Sequence, residues 1–88
     1  MKLSKNISAV ITGGASGLGA AVSEILSSKN VKVTLFDSNE DKGKKQAKKI
    51  SGFFKNVDVT SPESIRNGLI DARKIFGQER ICINCAGI

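Results

Sequence analysis

The apolar positions of this chain fall into two alternating rhythms. Short apolar-rich runs at Ile7 to Thr12, Val31 to Phe36, Phe53 to Asp58 and Ile81 to Asn84 have strand length rather than helix length. Between them lie longer segments with helical spacing. Leu18, Ala21, Val22, Ile25 and Leu26 recur as one stripe, and Ile65, Leu69, Ala72 and Phe76 as another. The segment from Glu40 to Ile50 has only Ala47 and Ile50 as its apolar side, but Ser38 with Asp41 three residues later predicts a capped helix start. Ser61 followed by Pro62 predicts another start, and Gly77 a stop. Strands alternating with helices require crossover connections, which are right-handed, so the pattern predicts a parallel α/β sheet with helices on both faces and strand order 3-2-1-4. No repeat or linker interrupts it, so residues 1–88 read as part of a single domain.

The first junction carries the strongest chemical signal. Thr12-Gly13-Gly14-Ala15-Ser16-Gly17-Leu18-Gly19 follows the first apolar run and opens directly into a helical pattern. A helix starting near Gly17 has unpaired backbone N–H groups and a partial positive charge at that end, which suits an anionic pyrophosphate. Gly13 and Gly14 permit the turn, Gly17 clears space for a ligand, and Gly19 lets the helix approach the sheet. Glycines alone also fit a strand-to-helix turn that binds nothing.

The acidic residue after the second run discriminates between these readings. Asp37 stands just past Phe36, roughly 20 residues beyond the glycine turn, where a dinucleotide fold of the Rossmann type places the carboxylate that binds the adenosine ribose. An Asp there also serves as a helix cap or a solvated loop residue, but the order strand, turn, helix, strand, acid favours the ribose. A carboxylate accepts hydrogen bonds from both ribose hydroxyls of NAD and repels the 2′-phosphate of NADP. No Arg follows Asp37 and Ser16 is not basic, so NAD is the expected cofactor.

Composition narrows the class further. The chain has 88 residues, 40% of them apolar, which fits a small globular unit with a marginal core and argues against disorder throughout. The net charge of +6 raises a nucleic-acid reading, yet Lys42, Lys44, Lys45, Lys48 and Lys49 all lie in one segment, as a solvated helix face would have them. Only four Phe are available for base stacking, so no nucleic-acid partner is expected. No apolar run reaches bilayer length and no membrane partner is expected. Met1 to Asn6 is too short for a signal peptide, which makes the cytoplasm the default location. Cys82 and Cys85 have half of a zinc or dithiol spacing, but residues three apart on a strand point to opposite faces and no His is present to complete a site, so no metal is expected.

Together, Thr12-Gly13, Gly17-Leu18-Gly19, Asp37, Asp58-Val59-Thr60 and Asn84-Cys85-Ala86-Gly87-Ile88 closely resemble the short-chain dehydrogenase/reductase family, and most of all its type 2 3-hydroxyacyl-CoA dehydrogenase branch. The resemblance covers the whole chain. It implies that Gly13, Ser16, Gly17, Leu18 and Gly19 hold the cofactor at the turn, that Asp37 holds the ribose, and that Asp58 and Val59 border the adenine. It also implies that Cys85 lies near the cofactor ribose and that Asn84, Ala86 and Gly87 brace the sheet and leave room beneath it. The family's usual pattern has a second Asn where this chain has Cys85, a small replacement expected to preserve binding. The branch includes mitochondrial matrix enzymes, and a homo-oligomeric full-length protein, dimer or tetramer, is implied.

The resemblance also says what the chain lacks. The family's reaction draws on a Ser, a Tyr and a Lys from its second half, the last two in Tyr-x-x-x-Lys spacing, and this chain has no Tyr and no His. No catalytic residue is therefore expected here. The chain reads as the NAD-binding N-terminal part of an enzyme that moves hydride between NAD and a secondary alcohol or 3-hydroxyacyl thioester, inactive alone, with the substrate bound by the absent part. The alternative is a non-catalytic NAD-binding or interaction module.

Overall fold

The computed structural model describes residues 3–86. Its elements follow the expected order: β1 (Ser8–Thr12), α1 (Gly17–Ser28), β2 (Lys32–Asp37), α2 (Glu40–Ile50), β3 (Phe53–Asn56), α3 (Pro62–Phe76) and β4 (Ile81–Asn84). All pairings are parallel and the strand order is β3-β2-β1-β4, the predicted 3-2-1-4. Thr12 lies level with Phe36 on one side and Asn84 on the other, while Asp37 lies level with Asn56. The carboxyl ends of all four strands thus finish along one edge of the sheet, the edge where ligands bind in open α/β sheets.

Alternation along the two central strands divides the core. Ala9, Ile11, Val33 and Leu35 pack with Leu26 of α1 and Ala47 of α2 on one face. Val10 and Phe36 pack with Val57, Ile65 and Leu69 on the other, beneath α3. Two helices on one face and one on the other is what right-handed crossovers give for this strand order. Because β1 and β2 are covered on both sides, they read as nearly continuous apolar runs.

Three local expectations are corrected. α2 is capped by Asn39, whose side chain accepts from the Lys42 N–H, and not by Ser38, because the Asp37 carboxylate already accepts from the Asn39 N–H at 2.9 Å and carries the chain one residue further before the helix starts. Strand β2 runs through Asp37 and β3 stops at Asn56, so Asp37 ends a strand and Asp58 stands in a loop. The apolar stripe read for α1 does not face the sheet as a whole. Gly19, Ser23 and Leu26 are its buried residues, while Leu18 and Ile25 are 57% and 60% exposed.

The reason for the last difference lies between α1 and α2. Gln46, nearly buried, donates through Nε2 to the Ala20 carbonyl (3.3 Å), the Ser23 hydroxyl (3.0 Å) and the Glu24 carboxylate (3.0 Å). The Ser23 hydroxyl in turn donates to the Ala20 carbonyl at 2.7 Å. A polar seam joins the two helices and rotates α1, which apolar spacing alone does not reveal. The α3 start is as expected, with the Ser61 side chain accepting from the Ser64 N–H and Pro62 in the first turn. All five lysines of α2 are exposed, with Lys44 paired to Glu40 at 3.4 Å and Lys49 to Glu24 at 3.3 Å. Among the described residues no helix is long and apolar enough to cross a membrane.

Phe36, 1% exposed, is the largest fully buried side chain and fills the space under α3. Its truncation in Phe36→Ala should cost about 3–5 kcal/mol. Urea unfolding followed by circular dichroism checks this: the midpoint should fall sharply while the slope with denaturant stays constant.

Candidate functional site

The glycine turn takes its shape from the end of β2. The N–H groups of Gly13 and Gly14 both donate to the Phe36 carbonyl, at 2.8 and 3.4 Å, and the Ala15 N–H donates to Asp37 Oδ2 at 3.1 Å. On its other side the turn meets the exit of β4: the Cys85 N–H donates to the Thr12 carbonyl at 3.0 Å, and the Thr12 hydroxyl hydrogen-bonds Asn84 Oδ1 at 2.5 Å. The Thr12 oxygen also accepts a long bond of 3.5 Å from the Ala86 N–H. Asn84 and Thr12 therefore brace β1 against β4 where both strands end.

The glycines at 17 and 19 answer two different needs. Gly17 has φ +58° and a Cβ placed there would meet no atom within 4 Å, so the residue combines a left-handed backbone with open space in front of the turn. A Cβ at Gly19 would run into the Gly13 carbonyl oxygen, so only glycine lets α1 sit this close to the turn.

Helix α1 begins unlike its neighbours. α2 has the Asn39 side-chain cap with Glu40 and Asp41 in its first turn, and α3 has the Ser61 cap with Glu63. In α1 the capping Ser16 is fully extended, makes no side-chain cap bond, and no acidic residue follows in the first turn. The amino end of α1 therefore keeps its partial positive charge and its N–H donors for something other than the protein's own side chains.

Two adjoining clefts open at this edge. One, of about 460 Å³, is lined by Ser16, Gly17, Leu18, Gly19 and Cys85. The other, of about 270 Å³, is lined by Phe36, Val57, Asp58 and Thr60. Gly13, Asp37, Ser38, Val59 and Ala86 border both. The residues read from the sequence as cofactor-binding thus converge on one continuous surface, except Gly87, which lies outside the described residues. Phe36, Ser38, Val57 and Thr60 also line it and were not singled out as site residues. Phe36 and Ser38 flank Asp37, and Val57 and Thr60 belong to the stretch around Asp58, so neighbourhood in the chain is the signal that could have found them.

Asp58 is held in place locally. Its Oδ1 accepts from the Thr60 N–H at 2.9 Å and the Thr60 hydroxyl at 2.6 Å, and its own N–H donates to the Ser64 hydroxyl. The Thr60 hydroxyl, and then the Thr60 N–H, keep the Asp58 carboxyl below the ordinary aspartate range. The group thus stays an ionised acceptor down to lower pH than a free aspartate, and its bonds to Thr60 weaken only as pH falls through that lowered value. Cys82 is exposed, whereas Cys85 packs against the core on the α1 and α2 side. Among the described residues no three His, Cys, Asp or Glu side chains gather into a metal-binding cluster.

An uncapped helix start behind a glycine turn is able to accept an anionic group, and an acid stands at the end of the neighbouring strand. The chain is 43% identical to a 3-hydroxyacyl-CoA dehydrogenase type-2 from Bos taurus over 86 residues, covering 96% of this chain and 33% of that protein. The Homo sapiens protein of the same description is 42% identical with the same coverage. A 2,5-dichloro-2,5-cyclohexadiene-1,4-diol dehydrogenase, LinX, from Sphingobium indicum is 38% identical over 85 residues, covering 91% of this chain and 34% of its own length. The chain spans about a third of the length of these curated relatives. With the glycine turn, the acid ending β2 and the brace at Asn84 all in place, and the short chain dehydrogenase family model matching residues 8–88, the chain belongs to the short-chain dehydrogenase family.

Proposed function

We propose that this chain is the NAD-binding part of an oxidoreductase that transfers hydride between NAD and a secondary alcohol or ketone, with a 3-hydroxyacyl-CoA as substrate. The observation that carries the reading is the uncapped α1 start on a cleft that Asp37 also lines. The donors at that helix end suit a pyrophosphate, and the open space at Gly17 leaves room for it. Although both Asp37 oxygens accept backbone N–H groups, a carboxylate offers about four acceptor positions, so lone pairs remain for ribose hydroxyls. The second cleft, with apolar walls at Val57 and Val59 and the ionised Asp58 at its rim, suits the adenine, its apolar sides covering the ring and its carboxylate accepting from the exocyclic amine. Bound NAD supplies the hydride-accepting carbon. The substrate class is carried by the likeness to 3-hydroxyacyl-CoA dehydrogenases.

The residues of this chain bind and orient rather than react. It contains no Tyr and no His, and in this reading the proton acceptor for the alcohol is not among these 88 residues. Partners follow the same reading: a small-molecule substrate, no nucleic acid, no membrane, and self-association of the whole protein into dimers or tetramers.

The full-length protein should reduce NAD in the presence of a 3-hydroxyacyl-CoA, followed by absorbance of the reduced nicotinamide, whereas these 88 residues alone should not. Binding without turnover by the full-length protein would favour the non-catalytic alternative. NAD should be preferred to NADP by about tenfold or more, because the Asp37 carboxylate repels a 2′-phosphate; equal affinities in a calorimetric titration would refute the cofactor assignment. In Gly17→Val the Cβ meets no atom of another segment within 4 Å, so helical circular dichroism should persist despite about 1–2 kcal/mol of backbone strain. NAD affinity should nevertheless fall beyond about 1 mM, since the branched side chain fills the space before the turn.

A further inference from the structure

The carboxylate that ends β2 is committed at both oxygens before any ligand arrives. Asp37 Oδ2 accepts from the Ala15 N–H at 3.1 Å, across 22 positions of chain, and Oδ1 accepts from the Asn39 N–H at 2.9 Å. Ala15 is 8% exposed and is the last residue of the turn tied to β2 before the chain runs through extended Ser16 into left-handed Gly17. The Gly13 and Gly14 amides hang on the Phe36 carbonyl, which any side chain at position 37 would leave intact. The Ala15 amide has no such backbone acceptor, and its bond depends on the side chain at 37.

We propose that Asp37 is a positioning residue of the glycine turn as well as a ribose ligand: its two oxygens latch the turn before α1 to the turn before α2, and so set the pyrophosphate and ribose subsites relative to one another. Its place on the wall of both clefts is the geometric expression of that coupling. An amide cannot replace it fully. Asn offers one acceptor and one donor, so it satisfies either the Ala15 or the Asn39 N–H and sets a donor against the other. Alanine satisfies neither and leaves the part-buried Ala15 N–H without its acceptor. The specificity position is thereby constrained twice, and replacing Asp37 to admit a 2′-phosphate loosens the turn that holds the pyrophosphate.

The binding half of this inference rests on the proposed NAD site, while the latch itself is readable without ligand. The test combines amide hydrogen exchange by NMR with titration of inorganic pyrophosphate, a probe that has no ribose, in the unaltered protein, Asp37→Ala and Asp37→Asn. Electrostatics and positioning predict opposite signs. Removing a negative charge near the pyrophosphate would tighten binding, whereas loosening the turn weakens it. In Asp37→Ala the Ala15 amide should exchange roughly tenfold faster or more relative to Val10 in the core strand, and pyrophosphate should bind severalfold more weakly. In Asp37→Asn one of the Ala15 and Asn39 amides should keep its protection, and pyrophosphate binding should lie above that of the alanine variant. Unchanged Ala15 exchange, or pyrophosphate binding in Asp37→Ala as tight as in the unaltered protein, would overturn the latch. Absence of NAD and pyrophosphate binding in the unaltered protein would instead overturn the cofactor reading, with faster Ala15 exchange in Asp37→Ala still supporting the latch.

Discussion

The carbonyl of Phe36 accepts from two consecutive amides of the glycine turn, and most of the site follows from that clamp. It fixes the exit of β1 to the exit of β2 at the level where Thr12 pairs with Phe36. A turn held so tightly has no room for side chains on its inner side. The contact that a Cβ at Gly19 would make with the Gly13 carbonyl shows how closely α1 must then follow. The helix start is aimed by backbone geometry alone, and its donors are left pointing into open space because no side chain folds back to cap them.

The core serves the same end. Val10 and Phe36 on one face, and Ile11 and Leu35 on the other, bury both sides of the central pair, so the strand ends that carry Thr12, Asp37 and Asn84 are held by packing from above and below. The polar seam of Gln46, Ser23 and Glu24 then sets the rotation of α1 against α2. One cost is the exposure of Leu18 and Ile25, apolar side chains that this rotation leaves on the surface of α1. The other outlying strand, β4, is less covered, with Cys82 and Asn84 exposed and Ile81 and Ile83 only half-buried.

Among the described residues the clefts are lined by the glycine turn, the carboxylates of Asp37 and Asp58, the hydroxyl residues Ser16, Ser38 and Thr60, apolar side chains and Cys85. Asp58, kept ionised by Thr60, acts as an acceptor and not as an acid at ordinary pH. Asp37 ends β2 and Asp58 follows β3, so a single edge of the sheet presents both acids within one groove.

The sequence by itself determined the element order, the parallel 3-2-1-4 sheet and the identity of the turn. These rest on local signals, apolar runs of strand length, helical spacing, a Ser-Pro start at Ser61 and glycines in a fixed pattern, each of which expresses itself within a few residues. It also marked Asp37 by its distance from the turn, and Asp58 through the family resemblance. Only the tertiary structure decided what these groups touch. The cap of α2 moved from Ser38 to Asn39 because a carboxylate two residues earlier had already taken the Asn39 amide. The buried face of α1 turned to Gly19, Ser23 and Leu26 because Gln46, more than twenty residues away, hydrogen-bonds it there. The Asp37 bond to Ala15 likewise joins positions 22 residues apart, and a contact between distant segments is fixed only when the sheet has brought their ends together.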